Sequence, residues 1–407
     1  MKDITLLPEI KKVKKDSFIG LRVKENKLYF YVPQTYRLEN DDLNKINKIK
    51  KIIRTISVAS NSSQFNSLYT KNDIELESNI PLLSYLYIIA DYINHGKYRN
   101  FEKVIKKENK GKINWKKTIK QIPYVSDGLP IYPNFYTEHN SQYDAIIVDV
   151  YKHCLKKAIG VWGWLFGIKE DEYMKATLYD YNETLFLQAI KIELSQTYND
   201  KKRKRLITMR EIILGLNIDD DKDLKIYGVN RYWPIYEFML RNVFAHVSEE
   251  NIRKLYPKTD WYILPNEHMP NSVLRPDIIY QKSENHFLLI DAKYYQYSIS
   301  YEKKDIPKST DIIKQFVYSD NIKKLMGKES KVYNCFVMPF NKEHEKHNCE
   351  DKQNIKYFGY ATSTNNIDDK IIGIYIDLTY LIDIYSKKFS KKEADELYNL
   401  VKNQLTR

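Results

Sequence analysis

Between Leu274 and Tyr295 the sequence reads LRPDIIYQKSENHFLLIDAKYY. Two apolar runs flank the polar turn Lys282-Ser283-Glu284-Asn285, which is the pattern of a β-hairpin. Side chains two apart on a strand share a face, so Asp291 and Lys293 project together while Ala292 points back into the core. Antiparallel pairing of the two runs brings Asp277 beside Asp291. The sequence therefore gathers two carboxylates and an ammonium at the rim of strands built from Ile278, Ile279, Leu288, Leu289 and Ile290. Acids abutting so apolar a pair of strands require a partner of opposite charge.

Paired carboxylates are hard oxygen ligands suited to Mg²⁺. A Mg²⁺ ion held there can polarise a phosphoryl oxygen and help generate the attacking hydroxide, and Lys293 can neutralise charge developing in the transition state. The alternative is a surface hairpin with solvated charges, which the flanking apolar residues argue against. The pattern Pro276-Asp277, thirteen intervening residues, then Asp291-Ala292-Lys293 resembles the PD-(D/E)xK nuclease motif. Nucleases of that class often place a Glu on the helix preceding the motif strands. Glu237, in the run Tyr232 to Arg241 with Pro234 in its first turn, is the candidate third metal ligand and catalytic acid. Its competing reading is a solvent-facing Glu on an amphipathic helix.

After the motif, Tyr294 to Pro307 is polar and is expected to form a mobile loop carrying Lys303 and Lys304 near DNA. Asp311 to Tyr318 then opens a helix on which Gln315 and Tyr318 share a face. These two resemble the Gln/Tyr pair that follows the lysine strand in related nucleases, where it supports the site or contacts the DNA backbone. Buried polar packing is the bland alternative for both. Residues 332–339 and 371–377 read as buried strands, residues 261–264 as the domain's first strand, and residues 391–405 as a closing amphipathic helix. Cys335, His344, His347 and Cys349 invite a zinc reading, but their spacing is irregular and a charged surface loop is the simpler account.

The sequence of 407 residues is long for one core. The expected organisation is α/β, with an N-terminal mixed β/helical domain over 1–225, binding DNA or a partner. A PD-(D/E)xK core follows over 226–407, a mixed central sheet flanked by helices. The N-terminal half begins with strands across residues 17–33 and a helix from Asp41. Further helices are expected over Pro81 to Asn94 and over 145–167, the latter ending in the Gly-broken stretch VWGWLFG. Another covers 180–198, and the basic run Lys201 to Arg205 is read either as a phosphate grip or as a solvated turn. Lysines around Trp115 suggest a phosphate-contact patch, or a structural corner with Trp115 buried.

Sixty-six Lys and Arg against 53 Asp and Glu give a formal charge of +13, which favours a polyanionic partner. Three cysteines do not make a disulfide framework and fit a reducing compartment. The opening run has no apolar core of leader length, and no stretch is apolar enough to span a bilayer, so a cytoplasmic protein is expected.

Two places carry a further resemblance. One is Arg275-Pro276-Asp277-Ile278 with Leu289-Ile290-Asp291-Ala292-Lys293-Tyr294-Tyr295. The other is Phe18-Ile19-Gly20 with Gly111-Lys112-Ile113-Asn114-Trp115-Lys116-Lys117-Thr118-Ile119. Together they resemble the LlaJI-type restriction endonucleases, relatives of the McrC nuclease subunit. That resemblance implies Mg²⁺-dependent cleavage of double-stranded DNA within a restriction–modification system. It also implies a separate McrB-like AAA+ GTPase subunit, because the sequence carries no G-x-x-x-x-G-K-[ST] run of its own. Action as a homodimer stays open, as do a decayed DNA-binding or assembly module and a nuclease for other nucleic-acid structures.

Overall fold

The computed structural model describes the chain apart from residues 1–8, 15–16, 25–26, 39–41, 79–81, 109, 144–145, 216–224, 246–248, 264–266, 271–272, 345–352, 365, 386–388 and 407. The chain divides into two compact units, one built mainly from residues 79–222 and the other from residues 6–78 together with 223–407. The expected boundary near 225 falls beside one crossing between the units, and residues 6–78 cluster with 223–407.

The physical reason is a long-range strand pairing. The strand Lys225–Val229 inserts between Ile19–Lys24 and Leu76–Ser78, antiparallel to both. Its sheet is completed by Lys27–Pro33 and by Glu9–Val13, which runs parallel to Lys27–Pro33. Gly20 and Gly228 face each other across the pairing. A Cβ on Gly228 would lie 2.3 Å from the Ile19 carbonyl oxygen and 2.4 Å from Phe18 Cζ. Gly20, with φ +145°, has equally little room. Glycine is therefore required on both strands for the backbones to approach.

The inserted strand leads directly into the helix Trp233–Phe244, in which Pro234 occupies the first turn. This hub helix is buried along most of its length, as the all-round apolar run Ile235 to Leu240 demands. Phe238 meets Phe65 edge-to-face at 5.3 Å, and Tyr232, just ahead of the helix, bonds Thr55 Oγ1 at 2.8 Å. Elsewhere, Tyr236 donates to the Val337 carbonyl at 3.2 Å and packs on Tyr294. The helix thereby ties the N-terminal segment to the second sheet of the same unit.

That second sheet has five strands. In spatial order they are Ile278–Ser283, His286–Ala292, Lys331–Phe340, Asn366–Asp377 and Ile355–Ser363. The outer pairs are antiparallel and the three inner strands are parallel. Continuous burial of Phe287 to Ile290 and of Asn334 to Phe340 is what parallel strands covered on both faces need. On one face the helix Ser309–Met326 sets Tyr318 and Ile322 against Ile279, Phe287, Leu289 and Val332. The mixed α/β expectation holds. Among the described residues, Asp260–Ile263 pairs with Glu267–Pro270 in a separate ribbon rather than opening this sheet as expected of 261–264, of which residue 264 lies outside the described residues.

In the other unit, the helices Leu82–His95, Ile146–Phe166, Glu183–Gln196 and Asp200–Leu214 pack around Tyr151, Leu155, Trp162, Phe186 and Met209. The helix Ile146–Phe166 continues through its two glycines rather than breaking. A Cβ at Gly163 would sit 2.4 Å from the Ile168 carbonyl oxygen, so glycine there admits the returning chain. The run Lys201 to Arg205 lies inside a helix capped by Asn199, not in a turn. Arg205 is spent on a two-point ion pair with the buried Asp91. Trp115 is 56% exposed, not buried, and meets Phe135 edge-on.

Substituting Gly228→Ala is expected to destabilise the unit by about 1–3 kcal/mol through overpacking. A lower urea midpoint with an unchanged slope would register it.

Candidate active site

The two motif strands pair with Ile278 opposite Ile290, which carries Asp277 to Asp291 one step further along. The turn is tighter than the sequence suggests, since the strands extend to Ser283 and from His286 with an irregularity at Gln281/Ser283. Asp277 Oδ2 accepts the Ala292 amide at 2.8 Å, and its carboxyl is near enough to that of Asp291 for each to shift the other's proton affinity. Lys293 Nζ lies 2.7 Å from Asp291 Oδ2. The predicted meeting of two carboxylates and one ammonium therefore occurs. Ala292 is only half-buried and contributes its backbone donor to the site rather than a core side chain.

These groups line a cavity of about 460 Å³ together with Glu237, Trp233, Arg275, Tyr294, Tyr295, Asp311, Lys314, Gln315 and Tyr318. Glu237 is 7% exposed, so the solvent-facing alternative is excluded. Its Oε1 stands 3.8 Å from Arg241 and 4.0 Å from Arg275, beyond hydrogen-bonding range, and has no hydrogen-bond partner among the described residues. Tyr69, from the N-terminal segment, lies close enough for the negative charge of Glu237 to resist ionisation of its phenol, second to burial itself.

Gln315 and Tyr318 are both buried, and both reach backbone. Gln315 Nε2 donates to the Leu289 carbonyl and the Tyr318 hydroxyl to the Arg275 carbonyl, each at 3.4 Å. They support the strands that carry the acids. Lys303 and Lys304 are not brought into the cavity. They sit exposed on the short turn Lys303–Asp305, where Lys304 pairs with Glu302. The expected mobile loop is anchored instead, because Ser298 is buried and its hydroxyl bonds the Pro339 carbonyl at 3.0 Å. Sequence reasoning passed over Asp311, Arg275, Lys314 and Tyr69 as site residues. Arg275, two residues ahead of Asp277, and Asp311, in the first turn of the next long helix, carried local signals, and that of Asp311 reads first as a helix cap.

The electrostatics are those of crowded acids. Burial and the charge of Glu237 push the Asp277 carboxyl up to about 6. Burial and Asp277 push Asp291 up as well, against the pull of Lys293. Glu237 is raised chiefly by burial. Lys293 loses hydration, yet Asp291 and Asp311 outweigh that loss and hold its ammonium above the ordinary lysine range. The donor set is of the kind a divalent cation takes, because Asp277, Asp291 and the Glu237 Oε1 that has no hydrogen-bond partner among the described residues are hard oxygen donors lining one cavity. Among the described residues no three His, Cys, Asp or Glu side chains form a closed metal cluster, so Glu237 shares the cavity without completing a three-carboxylate set. The zinc alternative loses Cys335, which is fully buried in its strand with its thiol pushed up by burial. His347 and Cys349 lie outside the described residues.

A family model described as LlaJI restriction endonuclease matches residues 18–390. The Bacillus subtilis (strain 168) protein named Type II restriction enzyme BsuMI component YdjA is 27% identical over 314 residues. That match covers 72% of this chain and 63% of the relative, so the chain spans less than two thirds of the relative's length. A solved assembly of Thermococcus gammatolerans McrB AAA+ hexamers with bound McrC aligns over 95% of this chain and 82% of that chain, at 15% identity and a TM-score of 0.40. No described helix is long and apolar enough to cross a membrane.

The raised Asp277 value fixes a pH dependence. Between the unfolded value of 3.8 and about 6 the folded protein binds more protons than the unfolded chain, so stability falls as pH rises through that window. In metal-free buffer, Asp277→Asn is expected to gain on the order of 1–3 kcal/mol at pH 8 and nothing below about pH 3.5. Urea denaturation at the two pH values measures the difference.

Proposed function

This chain belongs to the LlaJI restriction endonuclease family, and from that premise we propose that it is the Mg²⁺-dependent DNA-cutting component of a restriction–modification system. The observation that carries the reading is that Asp277, Asp291 and Lys293 line one cavity, with the Lys293 ammonium 2.7 Å from Asp291. The core then corresponds to the PD-(D/E)xK class. Support for that comes from the three parallel inner strands, with Asp291 near the end of the first of them and Asp277 just ahead of the outer strand paired to it, and from a helix-borne Glu237 in the same cavity.

Asp277 and Asp291 would hold the cation, and Glu237 would add a third negative charge from the hub helix. The ion supplies a Lewis acid for the scissile phosphodiester and lowers the pKa of a bound water. The chain's own residues do the rest. The Ala292 amide fixes the Asp277 carboxylate. Lys293 Nζ, kept protonated by its acidic neighbours, neutralises charge gathering on the non-bridging phosphate oxygens. Arg275 and Lys314 line the cavity as further cations for the DNA backbone. The net charge of +13 favours the same polyanion.

The Bacillus relative is named a component of a Type II enzyme. By extension this chain works in a multi-subunit enzyme, with any nucleotide-driven motor supplied by a separate AAA+ polypeptide. Double-stranded DNA is the substrate in this reading.

Plasmid incubated with the purified chain and Mg²⁺, with and without GTP and a partner subunit, tests the activity. Asp277→Ala, Asp291→Ala and Lys293→Ala are each expected to lower cleavage on the order of 10²–10³-fold or more. Folding, read by circular dichroism, and DNA binding are expected to stay near normal. An Asp291→Ala protein that cuts at the wild-type rate, free of contaminating nuclease, would falsify the mechanism.

A further inference from the structure

Lys293 does not rest on Asp291 alone. Its ammonium also lies 3.0 Å from Asp311 Oδ1, in the first turn of the helix Ser309–Met326. The second oxygen of Asp311 accepts the Lys308 backbone amide at 2.9 Å. The carboxylate therefore bridges a helix terminus and the site lysine. Burial opposes its ionisation, but the Lys293 contact and the Lys308 amide hold it below the usual carboxylate value. Along this helix, Asp311, Gln315 and Tyr318 occupy one face and reach Lys293, the Leu289 carbonyl and the Arg275 carbonyl in turn. One rigid element thus fixes the lysine and both motif strands.

Asp291 faces two claims. It is the closer partner of Lys293, and it is half of the aspartate pair that suits a divalent cation. An ammonium and a metal ion compete for the same carboxylate oxygens. We propose that Asp311 is a positioning residue that takes over the Lys293 ammonium when a cation occupies the Asp277–Asp291 pair. This rests on the metal-site reading given above. Asp311 keeps the lysine beside the site while freeing Asp291 for the ion. Without its charge, Lys293 leans on Asp291 and opposes metal binding.

The test is the Mg²⁺ concentration at half-maximal thermal stabilisation, which needs no substrate. Asp311→Asn retains an acceptor for the Lys308 amide and removes only the charge. It is expected to raise that midpoint about 3–10-fold, equivalent to roughly 0.7–1.4 kcal/mol. Asp311→Glu is expected to restore part of the loss. In a Lys293→Met background, Asp311→Asn should leave the midpoint unchanged, because no ammonium remains to compete. An equal shift in both backgrounds overturns the proposal, as does an unchanged midpoint in the single variant or a wild-type protein that does not respond to Mg²⁺. Cleavage assayed alongside should show kcat falling about 10–100-fold in Asp311→Asn with little change in KM for DNA. The expected midpoint pattern in a wild-type protein that cuts no DNA supports the role of Asp311 and sinks the nuclease reading alone.

Discussion

Two neighbouring aspartates at the end of a buried hairpin are the constraint on which the site depends. Burial and the charge of Glu237 raise the proton affinity of Asp277, and burial and Asp277 raise that of Asp291. Like charges so placed stay together only if a proton or a cation offsets them. The surrounding chain supplies part of the offset through Lys293, and places Arg241 and Arg275 at longer range beside Glu237. In the proposed function a small divalent ion, with its preference for carboxylate oxygens, completes that offset.

The rest of the unit holds that arrangement in place. The strand His286–Ala292 cannot slip by one residue without turning Asp291 to the opposite face, and its pairings on both sides, Ile290 with Ile278 and with Cys335, hold the register. The hub helix Trp233–Phe244 brings Glu237 in from one element, and the helix Ser309–Met326 brings Asp311 from another. Because the hub helix continues from a strand inserted in the N-terminal sheet, residues 6–78 are part of the scaffold that carries the site. Tyr69 extends this into the cavity's electrostatics.

Much of the site was legible because its signals are local. The period of two places Asp291 beside Lys293, hairpin pairing brings in Asp277, and Glu237 stands out as an acid in an apolar run. Gln315 and Tyr318 follow from helical spacing. What was not legible depends on contacts distant in sequence. Insertion of Lys225–Val229 between strands about 200 and about 150 residues earlier leaves no periodic trace, so the clustering of residues 6–78 with 223–407 is not readable from local pattern. The continuous helix Ile146–Phe166 was missed because Gly163 reads as a breaker until the carbonyl of Ile168 is seen against it. Lys303 and Lys304 were drawn in by charge alone, and charge does not say which way a loop faces.

Anomalous diffraction from crystals soaked in Mn²⁺, a stand-in for Mg²⁺ with hard oxygen preference, addresses the aspartate pair most directly. The account predicts a single strong peak within coordination distance of carboxylate oxygens from both Asp277 and Asp291, with Lys293 beside it. A protein that takes up Mn²⁺ elsewhere and not at these two side chains would contradict it.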